Sequence, residues 1–342
     1  MRPERRAALM RKLHCDKAYN SLEELVKDTD IDAVAIFTDG PLHVQHTAEA
    51  MKHGKHVISA VPACYGSLEQ ADALLETVNR YGMTYMMAET AYYTPPTISA
   101  RLFHREGRFG EIFFVESAYQ HNGLEEYYFE TGKRTWRHGM APMHYPTHNT
   151  VHLISVTGER LTNVSCQGWG DDDSILEDNV YHNPFWNESA VFRTNRGHIC
   201  HINIWWKGAF AFNEGPKCVG RKMSYYARDS KGNGAVLFNL TKVKGKDDAG
   251  YGHILARPSP YREPAWHKTD MLPPTLRHRS GHGNSHAFLV HEFIDSLVHN
   301  RKPVIDLYEA LAYTVPGIIA HESALRGGES MKIPQYNPPA KT

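Results

Sequence analysis

Two histidine ladders hold the residues of this 342-residue chain best suited to chemistry. The sequence contains 22 histidines, and four pairs stand four residues apart: His144/His148, His148/His152, His278/His282 and His282/His286. Imidazole changes charge near neutrality, so it can act as acid, base or metal ligand. In Met143-His-Tyr145-Pro146-Thr147-His148-Asn-Thr-Val-His152, Pro146 suits the first turn of a helix, and the i,i+4 spacing puts His148 and His152 on one face. The Tyr145 phenol adds a second proton carrier beside them. His144 precedes the helix, where anchoring a loop is an equal reading. The second ladder straddles Gly281 and Gly283, so spacing alone does not place it on one helix face. His282 sits in a Gly-His-Gly turn and His286 opens the helix that follows. Together with a carboxylate such as Glu116, His282 and His286 would suit a divalent ion, zinc or manganese. The plainer alternative is that they hydrogen-bond a loop to a sheet.

The rest of the composition narrows the class. Lys+Arg and Asp+Glu both number 38, for a net charge of zero, which argues against a nucleic-acid partner bound through a basic footprint. No stretch approaches the roughly 20 apolar residues of a membrane span. Five scattered cysteines without a Cys-x-x-Cys pair fit a reducing compartment, and the charged start Met1-Arg-Pro-Glu-Arg-Arg has no apolar leader core, so the expected location is cytoplasmic. The length predicts about two domains.

The elements that must position the ladders follow from the patterning. From Leu22 to Phe103, short β-branched runs alternate with amphipathic stretches, the signature of βαβ units and a parallel sheet. Strands are expected at Ala33–Phe37, His56–Ser59 and Thr84–Ala88, with helices at His43–His53, Leu68–Tyr81 and Pro96–Glu106. Beyond Gly110 come strand candidates at Glu111–Tyr119, Leu161–Gly168, Ser189–Thr194, His198–Lys207 and Lys222–Tyr226, with few helices between them. That order predicts a largely antiparallel open sheet. One parity of His198–Lys207 is polar and aromatic, suited either to a cleft or to solvent. Residues Lys244–Pro274 read as a long loop, and two apolar helices, Ser285–His299 and Asp306–Arg326, close the chain. The fold class is therefore α/β plus α+β. Residues 1–106 would form a truncated, incomplete Rossmann-like nucleotide-binding domain and 107–342 an open-sheet substrate and oligomerisation domain with C-terminal helices. Glu89 would stand at the carboxyl edge of the first sheet, where open α/β sheets bind ligands.

Particular runs carry a family resemblance. Asp30-Ile-Asp-Ala-Val-Ala-Ile-Phe-Thr38, Pro41-Leu-His43, Gly54-Lys-His-Val-Ile-Ser-Ala-Val-Pro62, Gly107-Arg-Phe-Gly-Glu-Ile112 and Phe293-Ile-Asp-Ser-Leu…Arg301-Lys-Pro-Val resemble the Gfo/Idh/MocA oxidoreductases. Those enzymes pair a Rossmann domain with an open-sheet domain and use NAD or NADP on sugars and polyols. The resemblance implies that Thr38 and His43 lie near the cofactor, that His152 takes the catalytic histidine position, and that His148 replaces an aspartate. It also implies a homo-oligomer. Tyr145-Pro-Thr-His148 is similar to the NAD-dependent glycoside hydrolases of the same superfamily. Two departures stand against these matches. The first strand and the G-x-G-x-x-G turn that admits the pyrophosphate do not occur in the sequence, which aligns from after that point. The family's Glu-Lys-Pro reads Ala60-Val61-Pro62 here, and valine cannot carry a proton.

The expected function is an oxidoreductase-family enzyme acting on a sugar or sugar derivative, nicotinamide-dependent if a cofactor site is completed. The alternatives are a metal-assisted lyase or hydratase on a keto-sugar and a non-catalytic sugar-binding subunit.

Overall fold

The computed structural model describes residues 3–229, 232–246 and 252–339. Three short parallel strands, β1 (Ala33–Ile36), β2 (His56–Ser59) and β3 (Tyr85–Met87), form one sheet in the order β1-β2-β3. Ahead of it lie helices α1 (Pro3–Leu13) and α2 (Leu22–Leu25); α3 (His43–Lys52) and α4 (Leu68–Tyr81) are the crossovers, and α5 (Pro95–Arg105) follows β3. The punctuation expected of the crossover helix is present in α4. Ser67 accepts the Gln70 amide at its start, and Gly82, at φ 64°, closes it in the left-handed region, the pairing that satisfies orphan groups at both helix ends. Val57, Met86 and Met87 are sealed, as a sheet covered on both faces requires.

The second sheet carries nine strands. In chain order these are β4 (Ile112–Gln120), β7 (Leu161–Trp169), β8 (Asn187–Thr194), β9 (Ile199–Trp205), β10 (Pro216–Gly220), β11 (Met223–Tyr226), β12 (Ala235–Lys246), β13 (Gly252–Tyr261) and β14 (Met331–Lys332), with a small hairpin of β5 (Phe129–Glu130) and β6 (Lys133–Arg134) apart from them. Their spatial order is β13-β12-β11-β10-β4-β9-β8-β7-β14. Every pairing is antiparallel except β4 with β9. The expected α/β plus mainly antiparallel architecture is what the chain adopts.

Two helices, α6 (Thr147–Thr157) and α8 (Leu307–Leu325), lie against one face, while α7 (Gly281–Val298) packs on the 3-10 turns Thr90–Tyr93 and Trp266–Lys268. Alternation sorts each strand between this face and the outside. Cys200, Ile202 and Ile204 of β9 are buried, whereas Ile199, His201, Asn203 and Trp205 are not. The polar parity thus lies on the face away from α6 and lines no cleft around the ladders. One expectation is overturned outright. Lys244–Pro274 was expected to be loop, yet its first half pairs as β13 against β12, with residues 247–251 outside the described set. Pro258 and Pro260 argue against an interior strand, but β13 is the sheet's edge, where a missing amide donor costs nothing.

Candidate active site around His148

The site is assembled where the carboxyl end of β3 meets the first turn of α6. Pro146 stands at the N-cap of α6. The helix is pinned to β4 by Asn149 Nδ2 donating to Ser117 Oγ at 3.0 Å, and to α8 by Thr150 Oγ1 donating to the Tyr313 carbonyl at 2.8 Å. These bonds fix the direction in which the first turn projects His148. From the other side, β3 ends and Glu89 caps the following 3-10 turn, its Oε1 accepting the Ala91 amide at 2.7 Å. The same oxygen accepts from His148 Nδ1 at 2.8 Å. Glu89 is fully buried, and its Oε2 has no hydrogen-bond partner.

A second carboxylate converges on the imidazole. Asn213 forms an isolated bridge with Gln120 at the end of β4, which sets Glu214 with Oε1 3.5 Å from His148 Nδ1 and its side chain 21% exposed. Tyr119 and Tyr145 complete the enclosure, their rings 4.9 and 5.4 Å from that of His148.

The electrostatics follow from this arrangement. Burial opposes charge on His148, but the carboxylates of Glu89 and Glu214 outweigh it and hold the imidazole up to about 9. Burial likewise opposes charge on Glu89, and the bonds and charge of His148, aided by Thr147 and the Ala91 amide, keep it below the ordinary carboxylate range. Glu214 is raised, first by burial and also by Glu89. Burial pushes Tyr145 up to about 12 and Tyr119 higher still. At neutral pH the site is therefore a buried carboxylate–imidazolium pair, two neutral phenols and one carboxyl group whose proton affinity has moved toward neutrality.

His152, one turn further along α6, is sealed. Its Nδ1 lies 3.1 Å from Thr97 Oγ1, Nε2 has no partner, and burial drives its pKa down to about 3. His144 is buried against Tyr65 and His321. Gly66, at φ +70°, admits it, since a Cβ there would stand 3.1 Å from the ring. That is the loop-anchoring alternative.

The second ladder comes closer to the first than its sequence distance implies. His282, Gly283 and Asn284 all have positive φ, and this left-handed turn brings the His282 and His286 rings to 4.7 Å, tilted 37° to each other. His282 is near enough to His148 and Glu89 to feel their charges. Glu116 does not join them. It pairs with Lys217 Nζ at 2.7 Å, and its neighbour Ser117 is the residue that faces α6, so Glu116 projects from the other side of β4. Among the described residues no three His, Cys, Asp or Glu side chains converge as a metal set, and the grouping His282, His286 and Glu116 is corrected accordingly.

Thr38 and His43 are engaged within the protein. Thr38 Oγ1 meets His46 Nδ1 at 2.8 Å. His43 spans the Pro62 carbonyl at 2.8 Å and the Thr38 carbonyl at 3.1 Å, strapping the end of β1 to the end of β2. Burial lowers its pKa; a neutral ring has one N–H, so one of those contacts is a hydrogen bond at a time. A dinucleotide needs amides cradling its pyrophosphate. The carboxyl edge of this sheet offers exposed Phe37 and the apolar pair Ala60-Val61, and no glycine-rich strand-to-helix turn occurs among the described residues. The residues present do not fit a whole dinucleotide.

Tyr119, Glu214 and Arg137, whose charge favours the ionised Tyr145 phenol against its burial, were not anticipated from sequence. The parity of β4 pointed to Tyr119, which shares the inner face with Val115 and Ser117. Glu214 carries no local signal, because the bridge that places it is tertiary.

Comparison with known proteins completes the description. Residues 1–89 match the model of the Gfo/Idh/MocA oxidoreductase family, NAD-binding Rossmann fold. A glycosyl hydrolase family 109 protein of Solibacter usitatus is 24% identical over 93% of this chain and 74% of its own length. An alpha-N-acetylgalactosaminidase of Bacteroides fragilis is 34% identical over 35% of this chain, a match that spans 30% of that relative. An NAD binding oxidoreductase from Klebsiella pneumoniae shares the fold with a TM-score of 0.75 at 15% identity, covering 97% of this chain and 88% of that one. Residues 1–89 are thus similar to the Gfo/Idh/MocA oxidoreductase family, and the fold of the whole chain is the one found in the Klebsiella pneumoniae oxidoreductase.

Proposed function

We propose that the chain is a carbohydrate-acting enzyme in which His148, Glu89 and Glu214 manage proton transfer at a sugar hydroxyl or at the carbon that bears it, flanked by Tyr145 and Tyr119. The observation that carries this reading is the fully buried Glu89 carboxylate bonded at 2.8 Å to an imidazole that has a second carboxylate 3.5 Å away. Paired titratable groups whose surroundings push their pKa values apart are the usual mark of acid and base assignments. In this assignment Glu214, raised and partly exposed, takes the proton. His148, charged below about pH 9, stabilises the developing oxyanion, and the neutral phenols donate to it. His152, neutral and sealed, packs behind them. Its family position stays a lesser candidate for the acid-base role.

NAD or NADP, when bound in this family, supplies the hydride acceptor. We propose nicotinamide dependence for this site only where residues beyond those described supply the phosphate contacts, with Thr38 and His43 shaping the sheet edge. The substrate is proposed to be a sugar derivative, in keeping with the glycosyl hydrolase and alpha-N-acetylgalactosaminidase relatives. A homo-oligomer is proposed through the helix-free face of the large sheet, where Val191 and Ile199 are half exposed. A cytoplasmic location is proposed as well; no described helix is long and apolar enough to cross a membrane.

The test is turnover of a panel of hexoses, N-acetylhexosamines and inositols by the purified chain, with and without NAD and NADP, beside His148→Gln. The proposal expects turnover of at least one sugar and a loss on the order of 100-fold or more in the variant. Turnover indifferent to His148, or none on any sugar under either condition, would refute it.

A further inference from the structure

A cavity of about 220 Å³ adjoins the site; Tyr119, His121, Tyr127, Tyr145, Trp206 and Arg137 are among the residues that line it. It shares Tyr119 and Tyr145 with the His148 cluster, so whatever occupies it touches both. The volume equals that of roughly seven waters, room for one sugar ring. Aromatic faces bed the apolar face of a pyranose, and the wall is aromatic on several sides.

Arg137 is the charged group on that wall. Its guanidinium stacks on the Trp136 ring, 4.3 Å from the centroid, and it shares the cavity wall with Tyr145. Its charge is felt by Tyr65, Tyr119, Tyr145 and Tyr181 alike. Among the described residues no carboxylate forms an ion pair with it. Other arginines nearby are occupied: Arg5 pairs with Glu130 at 2.9 Å, and Arg134 donates to the Asp178 carbonyl at 2.8 Å. Arg137 also borders a second, larger cavity of about 1070 Å³ that shares Tyr127 with the first. It therefore stands where the two spaces meet, held by stacking, with Asp39, Glu126 and Glu130 lining the larger space beside it. A planar, half-buried guanidinium in that state is built for bidentate recognition of an oxyanion.

We propose that the sugar handled by this site carries an anionic substituent, a carboxylate or a sulfate, bound by Arg137 while the ring lies against Tyr119 and Tyr145. The proposal rests on the sugar-acting reading above and sharpens it from neutral sugars to acidic ones. The carboxylate arm corresponds to a uronic acid and the sulfate arm to a sulfated hexose; the recognising chemistry is common to both.

Calorimetric binding to the purified chain tests this with D-glucuronate and D-galacturonate, the 6-sulfates of D-glucose and D-galactose, and the two neutral parents, all at one ionic strength. At least one charged derivative should bind about tenfold or more tighter than its parent, the factor expected of a charge-assisted bidentate contact. In Arg137→Gln that ratio should fall to within about twofold, and Arg137→Lys should keep part of it. Preference for uronates or for sulfates identifies the substituent. Parents that bind as tightly as every charged derivative overturn the proposal while leaving the sugar-acting reading intact, as does a preference that survives in Arg137→Gln. Failure of all six sugars to bind refutes the sugar-acting reading and this proposal with it. Should Arg137→Gln not fold, the wild-type ratio and Arg137→Lys decide the matter.

Discussion

Replacing Glu89 by glutamine leaves the shape of the His148 pocket and removes its charge. In the wild-type protein His148 rises from an ordinary 6.5 to about 9, a shift equivalent to about 3 kcal/mol, counted once for the Glu89–His148 pair. Burial alone would push the imidazole the other way. Without the Glu89 charge, only Glu214, partly exposed and 3.5 Å away, still favours the imidazolium, so in Glu89→Gln the pKa should fall below that of free histidine. The raised pKa also sets the direction of the stability change with pH. The imidazolium contributes in full below pH 6.5 and its contribution disappears as the pH rises through about 9. Glu89, lowered, contributes above its ordinary range and loses that contribution on acidification. The wild type should therefore lose stability on the alkaline side between about pH 6.5 and 9, and Glu89→Gln should show a flatter profile there. NMR titration of the labelled imidazole, together with thermal melts from pH 5 to 10, reads both quantities. A wild-type His148 titrating at its ordinary value, or an unchanged titration in Glu89→Gln, would refute the reasoning.

Other outcomes follow from the same geometry. His152→Gln should lower stability, because a buried imidazole packed on Thr97 is lost, while leaving the pH optimum of turnover where it was; a shifted optimum would return His152 to the proton path. Glu188 accepts the Met143 amide at 2.6 Å and His321 Nδ1 at 2.8 Å just before the Tyr145–His148 segment, so Glu188→Ala, which strands both buried donors, should cost about 2–6 kcal/mol in denaturant unfolding. Chelation with EDTA should change neither the melting temperature nor sugar turnover, since no metal set forms among the described residues; a chelator-sensitive enzyme would revive the metal-assisted alternative.

Much of this was legible in the sequence where local chemistry sets structure. The crossover helix Leu68–Tyr81 carries its own cap and glycine stop, and its observed limits are those read from the pattern. The short parallel strands announced themselves as β-branched runs, and the Pro146 start of α6 placed His148 correctly. The failures are tertiary. The edge strand β13 hid behind its prolines because edge geometry forgives them. Glu214 reached the site through a single bridge to β4, and the Gly-His-Gly segment turned the second ladder toward the first through left-handed backbone that no spacing rule predicts. Glu116 was misassigned because only the parity of β4, fixed by Ser117 facing α6, shows which side it takes.

The dependence of sugar turnover on pH tests the division of labour around His148 most directly. The account requires Glu214 deprotonated and His148 protonated, so kcat/KM should follow a bell, with an acid limb above the ordinary carboxylate range and an alkaline limb near 9. Glu214→Gln should depress the rate on the order of 100-fold and remove the acid limb, and His148→Gln should do the same to the alkaline limb. A profile flat through pH 9, or limbs that persist in both variants, would contradict it.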